Sequence, residues 1–347
     1  MIFLKNIKKP KYVFASILLV CFFLTQPVVA QEISWFSNMP PAGEKKIVTN
    51  GMHRLSSIKG KRGQSSIIQW LRKGTNPEEA AYVQISDPKT YEFLLFSPSK
   101  KQIEGKLITK GGKSFFTYAS KEEGYYNAYL IQKEVLGDTL NITVSKSEML
   151  NHSCRNGHKL VRGIVGPHIY SETIPVEVVR NRVLAEDLHY FATSSDEIEY
   201  QFLVNGNPVE GANLTLVTQK NWNKTLKTNK EGKSTFQFIQ DYFSSWQELN
   251  NREIYYYLLY GEVTLPEQGN YNGLPYSYIH YTTSLSDGYR PAKTMYMSMF
   301  WAFAVFILAV LITVAGIFMY RLKRQKIYKE IKLDETSIIN FDTRRND

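Results

Sequence analysis

The sequence predicts a mainly β protein: antiparallel Ig-like β-sandwich domains followed by a single C-terminal transmembrane helix. Three observations carry this. Short segments rich in β-branched and aromatic residues recur through the middle of the chain, divided by Pro, Gly, Asp and Lys. One of them, 197–204, alternates apolar and polar residues with period two. Beyond them, residues 294–320 carry no charge at all, a stretch long enough to cross a bilayer.

Charge narrows the class. The 347 residues have a formal charge of +10. Four of those charges come from lysines in the first thirty residues, three from the last twenty-seven, and only three from everything between. A nucleic-acid-binding domain concentrates positive charge on its body, so no nucleic-acid partner is expected. A hydrophobic content of 43% excludes a disordered chain.

The elements follow in order. Residues 1–30 read as a signal peptide: Lys5, Lys8, Lys9 and Lys11 precede the apolar run 13–24, and Val28-Val29-Ala30 offers a cleavage site after Ala30. Cys21 leaves with it. Residues 31–150 read as an N-terminal β-rich domain with strands near 80–86, 91–97, 114–119, 125–131 and 140–144; 65–73 reads as a strand or a short helix. Residues 151–173 have no hydrophobic period and read as a linker.

Residues 174–268 read as an Ig-like sandwich. In 197–204, Ile198, Tyr200, Phe202 and Val204 share one face. Asn205-Gly206-Asn207-Pro208 is a tight turn, 209–217 returns, and 224–228 is expected to pair with 234–239. One more strand is expected over 253–263. Residues 269–293 form a tyrosine-rich juxtamembrane segment. There Tyr271, Tyr276, Tyr278 and Tyr281 suit a partner contact or plain packing. The span, 294–320, is followed by Arg321, Lys323, Arg324, Lys326 and Lys329, which place the tail 321–347 in the cytoplasm and the body outside. The expected location is the bacterial inner membrane, single-pass, with a periplasmic ectodomain.

The segments Ile174-Pro-Val-Glu-Val-Val179, Val204-Asn-Gly-Asn-Pro-Val-Glu-Gly-Ala212 and Thr228-Asn-Lys-Glu-Gly232, with the earlier Glu123-Gly-Tyr-Tyr126, carry a family likeness. Together they resemble a bacterial periplasmic family of Ig-like sandwiches with no assigned biochemical role. Some members of that family are associated with nickel or cobalt uptake, and several end in a membrane anchor. The resemblance covers roughly 110–265 and rests on turn and strand-edge motifs. It implies the sandwich fold and a supporting role in metal handling.

One cluster suggests chemistry. His152, Cys154, His158 and His168 bring three of the six histidines and the only cysteine after Cys21 within seventeen residues. Thiolate with imidazole is a ligand set for a transition metal (Ni, Co, Cu or Zn), and Met149 is a nearby soft donor. The bland reading is a loop with a buried thiol and exposed histidines. A thiol enzyme based on Cys154, activated by His152 or His158, has no surrounding motif to support it. Met295, Met297 and Met299 form a second soft-donor set, read as ordinary interfacial methionines. No phosphate-binding loop, paired-carboxylate motif or Ser-His-Asp signature is visible. The expectation is a non-enzymatic envelope protein that binds or presents a metal or supports a metal-uptake or metalloenzyme membrane complex. The alternative is a structural or adhesive protein-binding module, tethered to the membrane without metal.

Overall fold

The computed structural model describes residues 33–41, 57–59, 65–151, 173–182, 190–242 and 253–325. The first half contributes β1 (Ser34–Ser37), β2 (Ser57–Lys59), β3 (Ser65–Lys73), β4 (Ala81–Tyr82), β5 (Tyr91–Phe96), β6 (Lys106–Lys110), β7 (Lys113–Ser120), β8 (Gly124–Leu136) and β9 (Thr139–Asn151). The second contributes β10 (Val176–Arg180), β11 (Glu197–Val204), β12 (Asn207–Pro208), β13 (Asn213–Thr218), β14 (Asn223–Lys227), β15 (Lys233–Gln237), β16 (Tyr255–Tyr271) and β17 (Leu274–Tyr289). Helix α1 (Lys293–Gln325) follows. The strands belong to one compact unit and the helix to a second.

Among the described residues three sheets are formed. A first sheet has the order β1-β3-β7-β6, with β2 and β4 also on β3. A central sheet runs β14-β13-β16-β17-β9-β8-β5. A third has the order β10-β11-β12, with β15 also on β11. Every pairing between these strands is antiparallel except β17 with β9, where Tyr278–Leu285 runs parallel to Thr139–Lys146.

Alternation along β9 fixes the layering. Ser145 donates to the Ser34 carbonyl of β1, while its neighbour Lys146 reaches Glu177 and the Val178 carbonyl of β10. Successive strand residues point to opposite faces. The first and third sheets therefore cover opposite faces of the central one. This explains why Gly124–Ile131 of β8 is buried without interruption: a strand covered on both faces has no solvent side to alternate with.

On the first-sheet side, Phe36, Leu71, Leu95, Phe116, Tyr126, Leu130 and Met149 make the core. Phe36 meets Phe116 edge-on at 4.7 Å. The docking of β1 is polar as well as apolar. Ser145 and Ser284 both donate to the Ser34 carbonyl, at 2.8 and 2.7 Å, and Ser286 donates to that of Phe36. On the other side, β10, β11 and β15 face β14, β13, β16 and β17, the strand arrangement of an Ig-like sandwich. The layers approach closely at Gly261, where a Cβ would lie 2.7 Å from Phe202 of β11.

The sequence expectations meet this architecture unevenly. Residues 65–73 form a strand, β3, packed against β7. The alternation in 197–204 holds: Ile198, Tyr200, Phe202 and Val204 are buried. The expected pairing of 224–228 with 234–239 does not occur, because β14 pairs with β13 and β15 with β11, one in each layer. The central sheet takes strands from both 31–150 and 174–268, and the sandwich continues past 268 to Tyr289. The signal segment 1–30, and 152–172 within the 151–173 linker, lie outside the described residues. Within α1, Thr294–Arg324 is long and apolar enough to cross a membrane, spanning about 46 Å at ~1.5 Å per residue.

Candidate functional site: a hairpin arm and the charges behind it

Strands β16 and β17 are much longer than their neighbours. β13 pairs with β16 only as far as Glu262, and β9 pairs with β17 only from Tyr278 onward. The hairpin beyond those points is an arm with no third strand beside it. Its turn is Asn272-Gly273, with φ of 51° and 83°. Positive φ at both central residues is the two-residue turn whose twist suits a hairpin, and the Asn-Gly pair is its favoured sequence.

Register assigns the arm two different faces. Tyr271 pairs with Leu274, Gly269 with Tyr276 and Pro266 with Tyr278. Tyr271, Leu274, Tyr276 and Tyr278 therefore share one side. Leu274 is 54% exposed and Tyr278 44%, while Tyr271 and Tyr276 are half-buried. Gly269 is needed here: a Cβ would run into the ring of Tyr276, which lies across it. The other side carries Asn270, Pro275 and Ser277. Across 263–278 the only charged residue is Glu267. Both strand edges are guarded by proline, Pro266 with a bulge beside it and Pro275. Proline and bulges block the addition of a further strand. What the arm presents is a tyrosine side-chain face.

Within the body, where Lys146 pairs with Leu285 of β17, a buried ionic network ties β9 to β10. Lys146 Nζ lies 2.9 Å from Glu177 Oε2, 3.0 Å from Glu148 Oε1 and 3.0 Å from the Val178 carbonyl. Arg182 donates to Glu148 Oε2 at 2.8 Å and stacks on Tyr125, 4.2 Å from its ring centre. Tyr129 donates to Glu177 Oε2 at 2.7 Å. Burial alone would lower the Lys146 pKa, but Glu177 and Glu148 outweigh it and raise it. For Glu148, burial opposes ionisation and is overcome by Lys146 and Arg182, which pull its pKa down to about 2. Glu177 goes the other way: burial wins over Lys146 and raises its pKa, and its Oε1 has no hydrogen-bond partner. Further along, Tyr200 and Tyr257 share a buried 2.7 Å hydrogen bond between the layers, and burial raises both pKa values. These groups are buried or largely buried and link the two layers. Their chemistry is positional.

The proposed metal ligands His152, Cys154, His158 and His168 lie outside the described residues. Met149, considered as a soft donor beside them, is buried in the core next to Phe116 and Tyr126. Among the described residues, no group of three or more His, Cys, Asp or Glu side chains is placed to hold a metal ion. Met297 and Met299 are exposed on α1, and Met295 Sδ accepts from the Ala292 amide at 3.2 Å. Within the tyrosine-rich juxtamembrane segment, 269–281 is strand apart from its turn, and Tyr281 is buried. The Asn272-Gly273 pair was the signal for that hairpin. Lys146 and Glu148 gave no signal, since polar residues alternating in a strand read as a solvent face.

No protein-family model and no curated protein sequence matches the chain. Among solved structures there is a likeness to a chain from work on how a 1.5-MDa bacterial ice-binding adhesin is retained at the host cell surface, at 5% identity and a TM-score of 0.19. It covers 65% of this chain and 57% of that one. At that score it establishes no shared fold.

Proposed function

We propose that the chain is a non-enzymatic, membrane-tethered β-sandwich protein whose β16–β17 arm is a protein-contact surface. The observation that carries this reading is the arm's side-chain face. Tyr271, Leu274 and Tyr276 stand together on a ribbon beyond the sheet, with Tyr278 on the same side where the ribbon joins β9, in a segment with one charge. Tyrosine supplies rigid contact area at low entropic cost, and neighbouring Asn, Gly and Ser supply adaptable hydrogen bonding. An apolar helix supports tethering, and Arg321, Lys323 and Arg324 at its end support a cytoplasmic C-terminus with the body in the bacterial periplasm. The test is copurification of the full chain from native membranes, compared with a chain whose arm is shortened by removing 267–276. Loss of a specific partner with the body still folded supports the reading; retention of every partner overturns it.

Metal presentation by His152, Cys154, His158 and His168 is a separate proposal, supported by the density of soft donors in that stretch. Metal analysis of the purified chain, with Cys154→Ser and His158→Ala alongside, decides it. Metal present in the parent and lost in both variants supports the site, and unchanged content removes it.

A further inference from the structure

We propose that Asn272, at the tip of the arm, is a deamidation site held in check by Asn270, whose side chain ties up the backbone nitrogen that would attack it.

The tip has the chemistry for the reaction. Asn272 and Gly273 are both exposed. An Asn-Gly pair loses its side-chain amide more readily than other pairs, because glycine has no Cβ to hinder the approach of its own nitrogen. The step is intramolecular. The Gly273 nitrogen gives up its proton and bonds to Cγ of Asn272, the Cγ–Nδ2 bond breaks, and ammonia leaves. The five-membered succinimide so formed takes up water at one of its two carbonyls and opens to aspartate or isoaspartate. In sum, amide and water become carboxylate and ammonium, with no oxidant and no cofactor.

The attacking nitrogen is engaged elsewhere. The Gly273 amide donates to Oδ1 of Asn270 at 2.9 Å. The proton that must leave before attack is therefore shared with that oxygen, and the bond has to break first. The other Asn-Gly hairpin turn shows that turn geometry does not require this bond. Asn205 and Gly206 have φ of 47° and 74°, against 51° and 83° at Asn272 and Gly273. There the Asn205 side chain reaches the Tyr281 hydroxyl, and the Gly206 amide donates to no group among the described residues. The backbone is nearly the same at both turns; the bond from Asn270 is particular to the arm.

The arm is where the modification has most effect. Isoaspartate carries the main chain through Cβ and adds an atom to a two-residue turn, and hairpin register is set by turn type and loop length. The pairings of Tyr271 with Leu274 and of Gly269 with Tyr276 depend on that register. Either product also adds a negative charge to a stretch, 263–278, whose one charged residue is Glu267. Asn270 thus preserves the tyrosine face while the protein ages.

The test is peptide mapping by mass spectrometry of the purified full chain in nanodiscs, aged at mildly alkaline pH, with amide loss read separately at 272 and 205. The parent is compared with Asn270→Ala and with Asn270→Asp, which keeps an acceptor oxygen. The same chains in denaturant give the rates without the fold. The folded parent should lose the 272 amide more slowly than the unfolded one. Asn270→Ala should speed that loss in the folded chain by roughly two- to tenfold, the range that the net worth of one hydrogen bond allows. Asn270→Asp should stay slow, and position 205 should be unmoved in all three. An unchanged rate at 272 in Asn270→Ala overturns the proposal, as does a folded parent that reacts as fast as the unfolded one. Equal acceleration in both variants, or acceleration at 205 as well, marks a loosened fold rather than a lost acceptor and also overturns it. The readout is a mass, so the outcome is independent of whether the arm meets a partner.

Discussion

The two faces of the central sheet are held by different physics. On the first-sheet side, Phe36, Phe116, Tyr126 and Leu130 interlock, and serine hydroxyls of β9 and β17 hold the carbonyls of β1. The buried Arg72 of β3 is held there by backbone carbonyls, those of Pro77 and Ala80, and by the ring of Trp35. On the third-sheet side the same strands present Lys146 and Glu148 to Glu177 and Arg182 of the facing layer. One face resists change by packing, so its losses follow cavity volume. The other resists by charge pairing, so its losses follow which partner is left behind, and they depend on pH. Adjacent residues of one strand, Ser145 and Lys146, thus belong to different stability regimes.

The largest expected effects compare the faces directly. Phe116→Ala should destabilise by about 3–5 kcal/mol through the cavity it leaves, with no change in the shape of the pH profile. Lys146→Met should cost a similar ~3–5 kcal/mol, because two carboxylates lose their shared buried cation. Denaturant unfolding at neutral pH checks both. The Lys146→Met deficit should shrink as acid protonates those carboxylates, while the Phe116→Ala deficit should not.

A smaller effect sharpens the pH contrast. The Glu148 pKa is held down to about 2 in the folded chain, against an ordinary value of 4.5. Its stabilisation is therefore fully present above 4.5 and lost as pH falls toward 2. Glu177 has the opposite sign. Its raised folded pKa disfavours the ionised form, so it costs stability at neutral pH, and acidification relieves that cost. Glu148→Gln should lower neutral stability by about 1.5–3 kcal/mol, the worth of hydrogen bonds to charged groups, and flatten the decline between pH 4.5 and 2. Glu177→Gln should leave that decline in place. Stability measured across pH for both variants separates the two carboxylates.

Smaller still, Ser284→Ala removes one of two donors to the Ser34 carbonyl and should cost about 0.5–1.5 kcal/mol, independent of pH. At the bottom of the scale, Tyr278→Ser on the arm should change stability by no more than roughly 0.5 kcal/mol, since the side chain is substantially exposed. Its effect should appear in partner binding.

How much of this the sequence shows depends on which interactions are local. The alternation in 197–204 is local, and it reappears as β11 with its buried face intact. Asn205-Gly206 reads as a turn, and both residues take positive φ. Asn272-Gly273 has the same chemistry and geometry, yet Gly269, Asn270 and Pro275 around it read as loop formers, and the arm is hidden by that composition. Partner choice is not local. Nothing in 224–228 or 234–239 says that they enter different layers. The polar stripe of Lys146 and Glu148 looks solvent-facing until the third sheet covers it. The buried ionic network is therefore a property of the assembled layers, although every member of it is in plain view in the sequence.

On the proposed reading, the arm's tyrosine face, on a body tethered by α1, is where another protein is met. Photo-crosslinking in native membranes tests it most directly, with a photoreactive amino acid placed at Tyr278 in one chain and at the exposed Lys224 of β14 in another. A discrete protein adduct is expected from position 278 and none from 224. Adducts from 224 alone, or from neither position, would contradict it.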